Sequence, residues 1–482
     1  MPDSARIGGA RRQVYDEGSM KAAGDILLIA CYELGHQPLG IAWPAAVLAE
    51  RGYAPATLDV SVEPFDPEKA ARARLVAISV PMHTALRVGV TVAERVRAVN
   101  PSCHICFFGL YASLNAEYLL AHGIDSVIGG EPEQPLADLA DALAAGEEPR
   151  VPGVATAQAP SGPYLRRQPL PRPSRASLPA LKKYARLERA GRREVVGYVE
   201  ASRGCLHRCR HCPIPPVYGG RFFAVPPDTV LADIRQQVAA GATHITFGDP
   251  DFLNGPGQVL AVARRLHAEF PDVTFDFTAK VEHLLRHRRL LPELAVLGGL
   301  FVVSAVESLS DTVLTHLAKG HTRADVTEAL RAVREAGIAF RPTWVAFTPW
   351  TALEDYGDML DFVERKSLVD HVDPVQYSLR LLVPPSSLLL ESPALRPFLD
   401  GLVQEDFSYR WTHPDPRVEA LHAAVAAHVA EAAEREEDPA VTFDRVRARW
   451  AAAAGLSPGP SLATGLPRDR ARPPRMTEPW FC

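Results

Sequence analysis

Short apolar runs alternate with stretches of helical period along the first third of the chain. The runs "DILLIACY" (25–32), "APATLDV" (54–60), "LVAISVP" (75–81), "HICFFG" (104–109) and "DSVIGGE" (125–131) have strand length, and most give way to Gly, Pro or polar residues. Between them, "AWPAAVLAERG" (42–52) and "VGVTVAERVRAV" (88–99) repeat apolar residues three and four apart. Near-continuous apolar strands separated by amphipathic helices predict a parallel sheet covered on both faces. Residues 24–145 are therefore expected to form one doubly wound α/β domain. Its ligands would lie beyond the carboxyl ends of the strands, where Gly35, His36, Pro81, His83, Gly109, Tyr111, Gly129 and Glu131 fall.

From 146 to 190 the pattern fades into a proline-rich connector, "EEPRVPGVATAQAPSGPYLRRQPLPRPSRASLPALKKYARL", read as a partly ordered linker. Between 191 and 385 six strand-like runs recur at 194–202, 244–249, 274–280, 300–307, 338–348 and 372–384. Helical segments such as "PDTVLADIRQQVAAG" (227–241) and "RADVTEALRAVREAG" (323–337) follow most of them. Six βα units predict a partial (β/α)6 TIM-type barrel with its site at the strand ends. Residues 390–455 read as a helical extension, and 456–482 as a flexible tail ending in Cys482. The fold class is thus α/β: a flavodoxin/Rossmann-like doubly wound domain, a partial barrel and a helical C-terminal extension.

Composition narrows the function. A formal charge of −5 over 482 residues gives no reason to expect nucleic acid or an anionic membrane as partner. No apolar run reaches membrane-spanning length and the first residues lack a signal-peptide core, so the expected location is cytoplasmic. Seven cysteines in a large cytoplasmic chain point to metal or catalysis rather than disulfides. Cys31, Cys103 and Cys106 sit in or at the ends of strands and read as buried structural residues. Although Cys103 and Cys106 have C-x2-C spacing, a strand turns such a pair to opposite faces.

The chemistry concentrates in "SRGCLHRCRHCP" (202–213), where Cys205, Cys209 and Cys212 are spaced C-x3-C-x2-C just past the first barrel strand. A structural zinc site is normally closed by four ligands. Here the triplet has no partner pair downstream in the domain, and His207 and His211 lie inside the same short loop. An iron–sulfur cluster held by three thiolates leaves one iron open to a substrate or cofactor. A zinc-stabilised binding module without catalysis remains the alternative.

This motif, in this place, resembles that of the radical S-adenosylmethionine (SAM) superfamily, and the resemblance covers 191–385. It implies a [4Fe-4S] cluster on Cys205, Cys209 and Cys212, SAM on the open iron, a flavodoxin- or ferredoxin-type reductant and a small-molecule substrate. The resemblance places His211 near the SAM adenine. It puts Asp249 and Asp251 of "FGDPDFLN" near the SAM amino group, and Ser304 and Glu307 of "SAVES" against SAM or substrate. Arg341 and Arg380 are expected to pair with carboxylates of SAM or substrate. Lys280 and Glu282 read as interior polar residues satisfied by their neighbours.

The first domain resembles the cobalamin-binding domains that precede some radical enzymes, most closely in "GGEPEQPLADL" (129–139). Many such domains ligate cobalt through D-x-H-x-x-G, but "ELGHQPLG" around His36 lacks that pattern. Either cobalamin binds without a protein histidine on cobalt, or the domain only shapes the substrate site. With "KGHT", "VDPVQYSLRLL" and "EPWFC", the whole chain resembles the bacterial radical SAM group named for a CUAEP or CCAEP tail. If Cys482 is the first residue of that tail, the sequence stops where a selenocysteine codon would follow, and Cys482 is half of a catalytic redox or soft-metal pair. Otherwise it is an isolated terminal cysteine. The functions this leaves are cobalamin-dependent methyl transfer, transfer of a 3-amino-3-carboxypropyl group from SAM, and the zinc module.

Overall fold

The computed structural model describes residues 20–467 and 469–478. In the first domain, β1 (Ile26–Ala30), β2 (Ala56–Asp59), β3 (Leu75–Ser79), β4 (His104–Phe108) and β5 (Ser126–Ile128) form a parallel sheet. The order is β2-β1-β3-β4-β5, and β6 (Val154–Ala155) adds an antiparallel edge. Every residue of β1, β3, β4 and β5 is buried. Alternate side chains explain this. Leu28, Ala77 and Phe108 pack with the helices Leu39–Glu50 and Glu133–Ala144, while Ile29, Ile78 and Phe107 pack with His83–Val99. The chain turns outward from β1 to β2 and then crosses back to β3, so a crevice opens beyond the ends of β1 and β3. Cys31, Cys103 and Cys106 are buried, and burial pushes the Cys106 thiol up to about 12.

The proline-rich connector is packed between the domains. On one side Trp43 Nε1 donates to Pro171 O (2.9 Å) and Thr57 Oγ1 to Ser177 O (3.0 Å). On the other, Thr229 Oγ1 donates to Leu170 O (3.1 Å) and Gln236 Nε2 to Pro173 O (2.9 Å). Arg175, buried between them, forks onto Asp233 at 2.6 and 2.8 Å and reaches Gln37 Oε1 at 2.8 Å.

The second sheet uses β7 (Arg186–Arg189) and β8 (Arg192–Val199). The short antiparallel pair β9 (Ser202–Gly204) and β10 (Phe222–Ala224) brackets the cysteine loop. Then come β11 (His244–Phe247), β12 (Thr274–Thr278), β13 (Gly299–Glu307) and β14 (Ala339–Trp344). β15 (Leu399–Val403) and β16 (Ser408–Trp411) form a separate hairpin, and β17 (Arg475–Met476) lies near the end of the chain. The large sheet runs β14-β13-β12-β11-β8-β7-β17; β8 and β11–β14 are parallel, and β7 and β17 are antiparallel additions.

Two expectations need correction. The sixth strand, expected at 372–384, is a 3-10 turn, Pro374–Ser378, followed by a single bridge from Arg380 to Phe347. Proline at the start removes a ladder donor, and the Trp344 N–H that a sixth strand would have taken donates instead to Gln376 Oε1 (2.8 Å). The tail expected to be flexible is docked in its described part. Arg470 forks onto Asp370 (2.6 Å to each oxygen) and also pairs with Asp438, and Arg475 pairs with Glu188 at 2.7 Å. Met476 is buried against Leu187, Val196, Phe301 and Val303. Two helices, Pro416–Glu434 and Pro439–Ala453, pack together as the C-terminal extension. Among the described residues no helix is long and apolar enough to cross a membrane. Cys482 lies outside the described residues.

Candidate functional site

The cysteine loop leaves β9 through Gly204, whose φ is +72°; a Cβ there would stand 2.4 Å from Arg221 O. Only glycine fits this turn, and it sets the direction of Cys205. Cys205 and Cys209 are buried and Cys212 is half-buried. Burial raises the Cys205 thiol and pushes Cys212 up to about 12, so loading a metal here must displace thiol protons. Zinc with four ligands at its usual bond length would hold thiolates about 3.8 Å apart.

Around the loop stand groups the sequence reading singled out and one it missed. Glu307, at φ +66°, receives Lys319 Nζ at 3.2 Å and lies 3.4 Å from His211 Nε2. Burial would raise the Glu307 carboxyl, but Lys319 and His211 outweigh it and hold it at about 2. Burial works against the Lys319 ammonium; Glu307 and the thiols of Cys209 and Cys212 more than offset it. Lys319, in "LAKGHT", is thus a buried cation placed to offset an anionic cluster. His211 Nδ1 is buried without a hydrogen-bond partner, the kind of orphan a bound SAM would satisfy.

The other expected residues are engaged by the protein. Asp249 accepts from Ala201 N (2.9 Å) and from Ser202 Oγ, and burial pushes its carboxyl up to about 7. Asp251 faces His207 and His283 instead of open space. Ser304 Oγ donates to Ala279 O (2.9 Å) and is fully buried. Arg341 is held by Asp373, at 2.9 Å to each oxygen. Arg380 is held by Glu419 and stacks on Trp411 at 3.6 Å. The structure therefore gathers His211, Glu307 and the three cysteines, but gives Ser304, Arg341 and Arg380 partners of their own.

A cleft of about 230 Å³, partly open to solvent, lies between the domains. Glu33 and Leu34 after β1, Ser79, Pro81 and Met82 after β3, and Gly109 and Leu110 after β4 line one wall. Tyr198, Glu200, Arg203 and Gly204 line the other, so the cleft reaches the strand that precedes Cys205. Arg203 ties the walls together. It lies 3.2 Å from Glu131, 2.7 Å from Glu133 and 3.1 Å from Glu200, with its guanidinium 4.3 Å from the Trp43 ring centre. Glu131 and Glu133 belong to the segment "GGEPEQPLADL". Among the described residues the lining includes no histidine; His36 is buried and stacked on Tyr198 at 4.6 Å. Burial drives the His36 imidazole down to about 4.

An open βα barrel with three cysteines at its mouth thus faces a doubly wound domain across a shared cleft. Residues 199–362 match the Radical SAM superfamily and residues 26–140 the B12 binding domain. The chain thus carries a radical SAM domain behind a B12-binding domain, and the cofactors these domains take are a [4Fe-4S] cluster, SAM and cobalamin. The solved structure of the cobalamin-dependent SAM radical enzyme OxsB with aqua-cobalamin superposes with a TM-score of 0.66 at 15% identity, covering 83% of this chain and 66% of that one. The methyltransferase TsrM from Kitasatospora setae, with cobalamin and a [4Fe-4S] cluster bound, superposes at 0.58 and 18% identity over 71% of this chain and 73% of that one. Among curated proteins, the tRNA-2-methylthio-N(6)-dimethylallyladenosine synthase of Desulfosudis oleivorans is 30% identical over 200 residues, 39% of this chain and 42% of its own length. The chain spans about two fifths of the length of the first curated relatives it matches.

Proposed function

We propose that this chain is a cobalamin-dependent radical SAM enzyme that transfers a methyl group to an unactivated carbon of a small molecule, with a flavodoxin- or ferredoxin-type electron donor. The observation that carries the reading is the cleft that runs from the strand ends of the first domain to Arg203 and Gly204, directly ahead of the cysteine loop. A [4Fe-4S] cluster on three thiolates leaves one iron for SAM and, when reduced, supplies the electron that breaks a carbon–sulfur bond, while cobalamin supplies a methyl carrier. The chain's own residues do the rest. Lys319 offsets the charge of the thiolates, and Glu307 keeps Lys319 and His211 in place. Arg203 holds the two walls in register. Glu33, whose oxygens accept from Gly40 N at 3.1 and 3.2 Å, lines the cleft and would be among the residues that hold the cobalamin.

The test is the product derived from SAM. Reconstituted protein with cobalamin, reductant and SAM should release 5′-deoxyadenosine or S-adenosylhomocysteine. Methylthioadenosine as the main product would instead establish 3-amino-3-carboxypropyl transfer. Because the described residues of the cleft wall include no imidazole, the cob(II)alamin EPR spectrum of the complex should be unchanged when the protein is uniformly labelled with nitrogen-15. A change in hyperfine splitting on labelling would put a protein nitrogen on cobalt and overturn this arrangement.

His211→Ala should keep the full iron complement and raise the SAM concentration needed for half-maximal cleavage by about tenfold, the worth of one hydrogen bond to a charged ligand. Loss of iron in that variant would make His211 a cluster ligand instead.

A further inference from the structure

His207, Asp251 and His283 bring three ligand atoms to one point. His207 Nε2 lies 3.5 Å from Asp251 Oδ2, His283 Nδ1 lies 3.0 Å from the same oxygen, and the two ring nitrogens are 3.4 Å apart. Among the described residues, this is the one group of three His, Cys, Asp or Glu side chains whose ligand atoms all fall within 4.8 Å of one another. The three come from separate exits of the barrel. His207 is on the cysteine loop, Asp251 on the turn after β11, and His283 on the helix Val281–Arg286 that follows β12. Asp251 and His283 are buried, and the side chain of His207, 13% exposed, leaves one side open.

We propose that these residues bind a first-row divalent cation of the zinc type, beside the three cysteines and using none of them. An ion standing slightly above a triangle with these edges lies about 2.0–2.1 Å from each corner, the usual zinc–imidazole and zinc–carboxylate distance. Two imidazoles and a carboxylate suit zinc or iron(II), and three protein ligands with one open side leave a position for water or a substrate donor. Oδ2 of Asp251 also lies 3.3 Å from Lys280 N, so the carboxylate is fixed before any ion arrives.

Without an ion, Lys280 Nζ donates to His207 Nδ1 at 3.1 Å, which leaves the ring proton on Nε2. Binding a cation at Nε2 moves that proton to Nδ1, so Lys280 must turn from Nδ1 to Glu282 Oε2, 3.5 Å away, and the same carboxylate, 3.7 Å from Nδ1, then faces the ring proton. Because His207 lies between Cys205 and Cys209, the cation would pin the cysteine loop to the exits of β11 and β12.

The experiment uses the full chain with Cys205, Cys209 and Cys212 all changed to alanine, so that neither cluster nor thiolate competes. After loading with zinc and removal of loose metal, about one zinc per chain should remain by mass spectrometry. Cobalt(II) loading should give visible bands of nitrogen and oxygen ligation without a sulfur charge-transfer band. His207→Ala and His283→Ala in that background should lose the ion, with circular dichroism confirming the fold. The wild-type chain, reconstituted anaerobically, should hold one zinc beyond the cluster iron. Folded protein without zinc in both backgrounds, or zinc retained after His207→Ala, would overturn the site. Either outcome leaves the radical SAM reading untouched, since that reading rests on the cysteines.

Discussion

Changing Cys205, Cys209 and Cys212 together to alanine should abolish cluster absorbance and bring SAM cleavage down to the buffer background, while the protein remains folded. All three thiols are needed, because a cluster with one open iron takes the other three ligands from this loop. The fold should survive because none of the three cysteines belongs to a hydrophobic core cluster. What holds the loop is mainly backbone and polar: Arg210 N to Leu317 O at 2.9 Å, Leu206 N to Asn254 Oδ1 at 3.4 Å, and Arg208 to Gly219 O at 3.1 Å. Iron and sulfide analysis with far-ultraviolet circular dichroism decides the matter. A full four-iron complement in the triple variant would falsify the cluster assignment.

Arg203→Met should destabilise the protein by about 3–5 kcal/mol at neutral pH, the usual cost of removing one partner from a buried ionic group. Methionine keeps much of the contact with Trp43 but leaves Glu131, Glu133 and Glu200 facing one another without a cation. Already in the wild type, burial pushes Glu200 up to about 6 and Glu33 up to about 8, and it raises Glu131. A carboxyl whose folded pKa is raised keeps its proton where the unfolded chain has lost it. Its contribution to stability is therefore largest at acidic pH and is lost as pH rises through the folded value. For Glu33 that window runs from ordinary carboxylate values to about 8. Without Arg203 the carboxyls of Glu131 and Glu200 move further up, so the gap between variant and wild type should be small near pH 5 and widest near pH 8. Urea unfolding at both pH values measures it, and an equal gap at the two would rule out the ionic account.

The parallel strands were legible in the sequence because burial on both faces leaves them almost wholly apolar, as in "ILLIA" and "LVAIS". The cysteine triplet was legible because its ligands are local. The apolar and polar residues of "VQYSLRLLV" mimicked a strand, and nothing in that string shows that Gln376 would occupy the ladder position on Trp344. The arginine-rich tail had the composition of disorder because its partners, Asp370, Asp438 and Glu188, lie far back in the chain. Distance along the chain also hid Arg203 with Glu131 and Glu133, and His207 with Asp251 and His283. Each of these residues looks ordinary until the fold places it beside the others.

The pairing of β17 with β7 also orders events during synthesis. Residues 475–476 leave the ribosome after everything they touch, so the edge of β7 stays open while the rest of the barrel emerges. Glu478, just beyond, then accepts from the hydroxyl of Tyr32 (2.6 Å), more than four hundred residues earlier. These contacts form only after both partners have been made, and a nascent chain stalled before residue 475 would display the open edge of β7 to its neighbours on the same message.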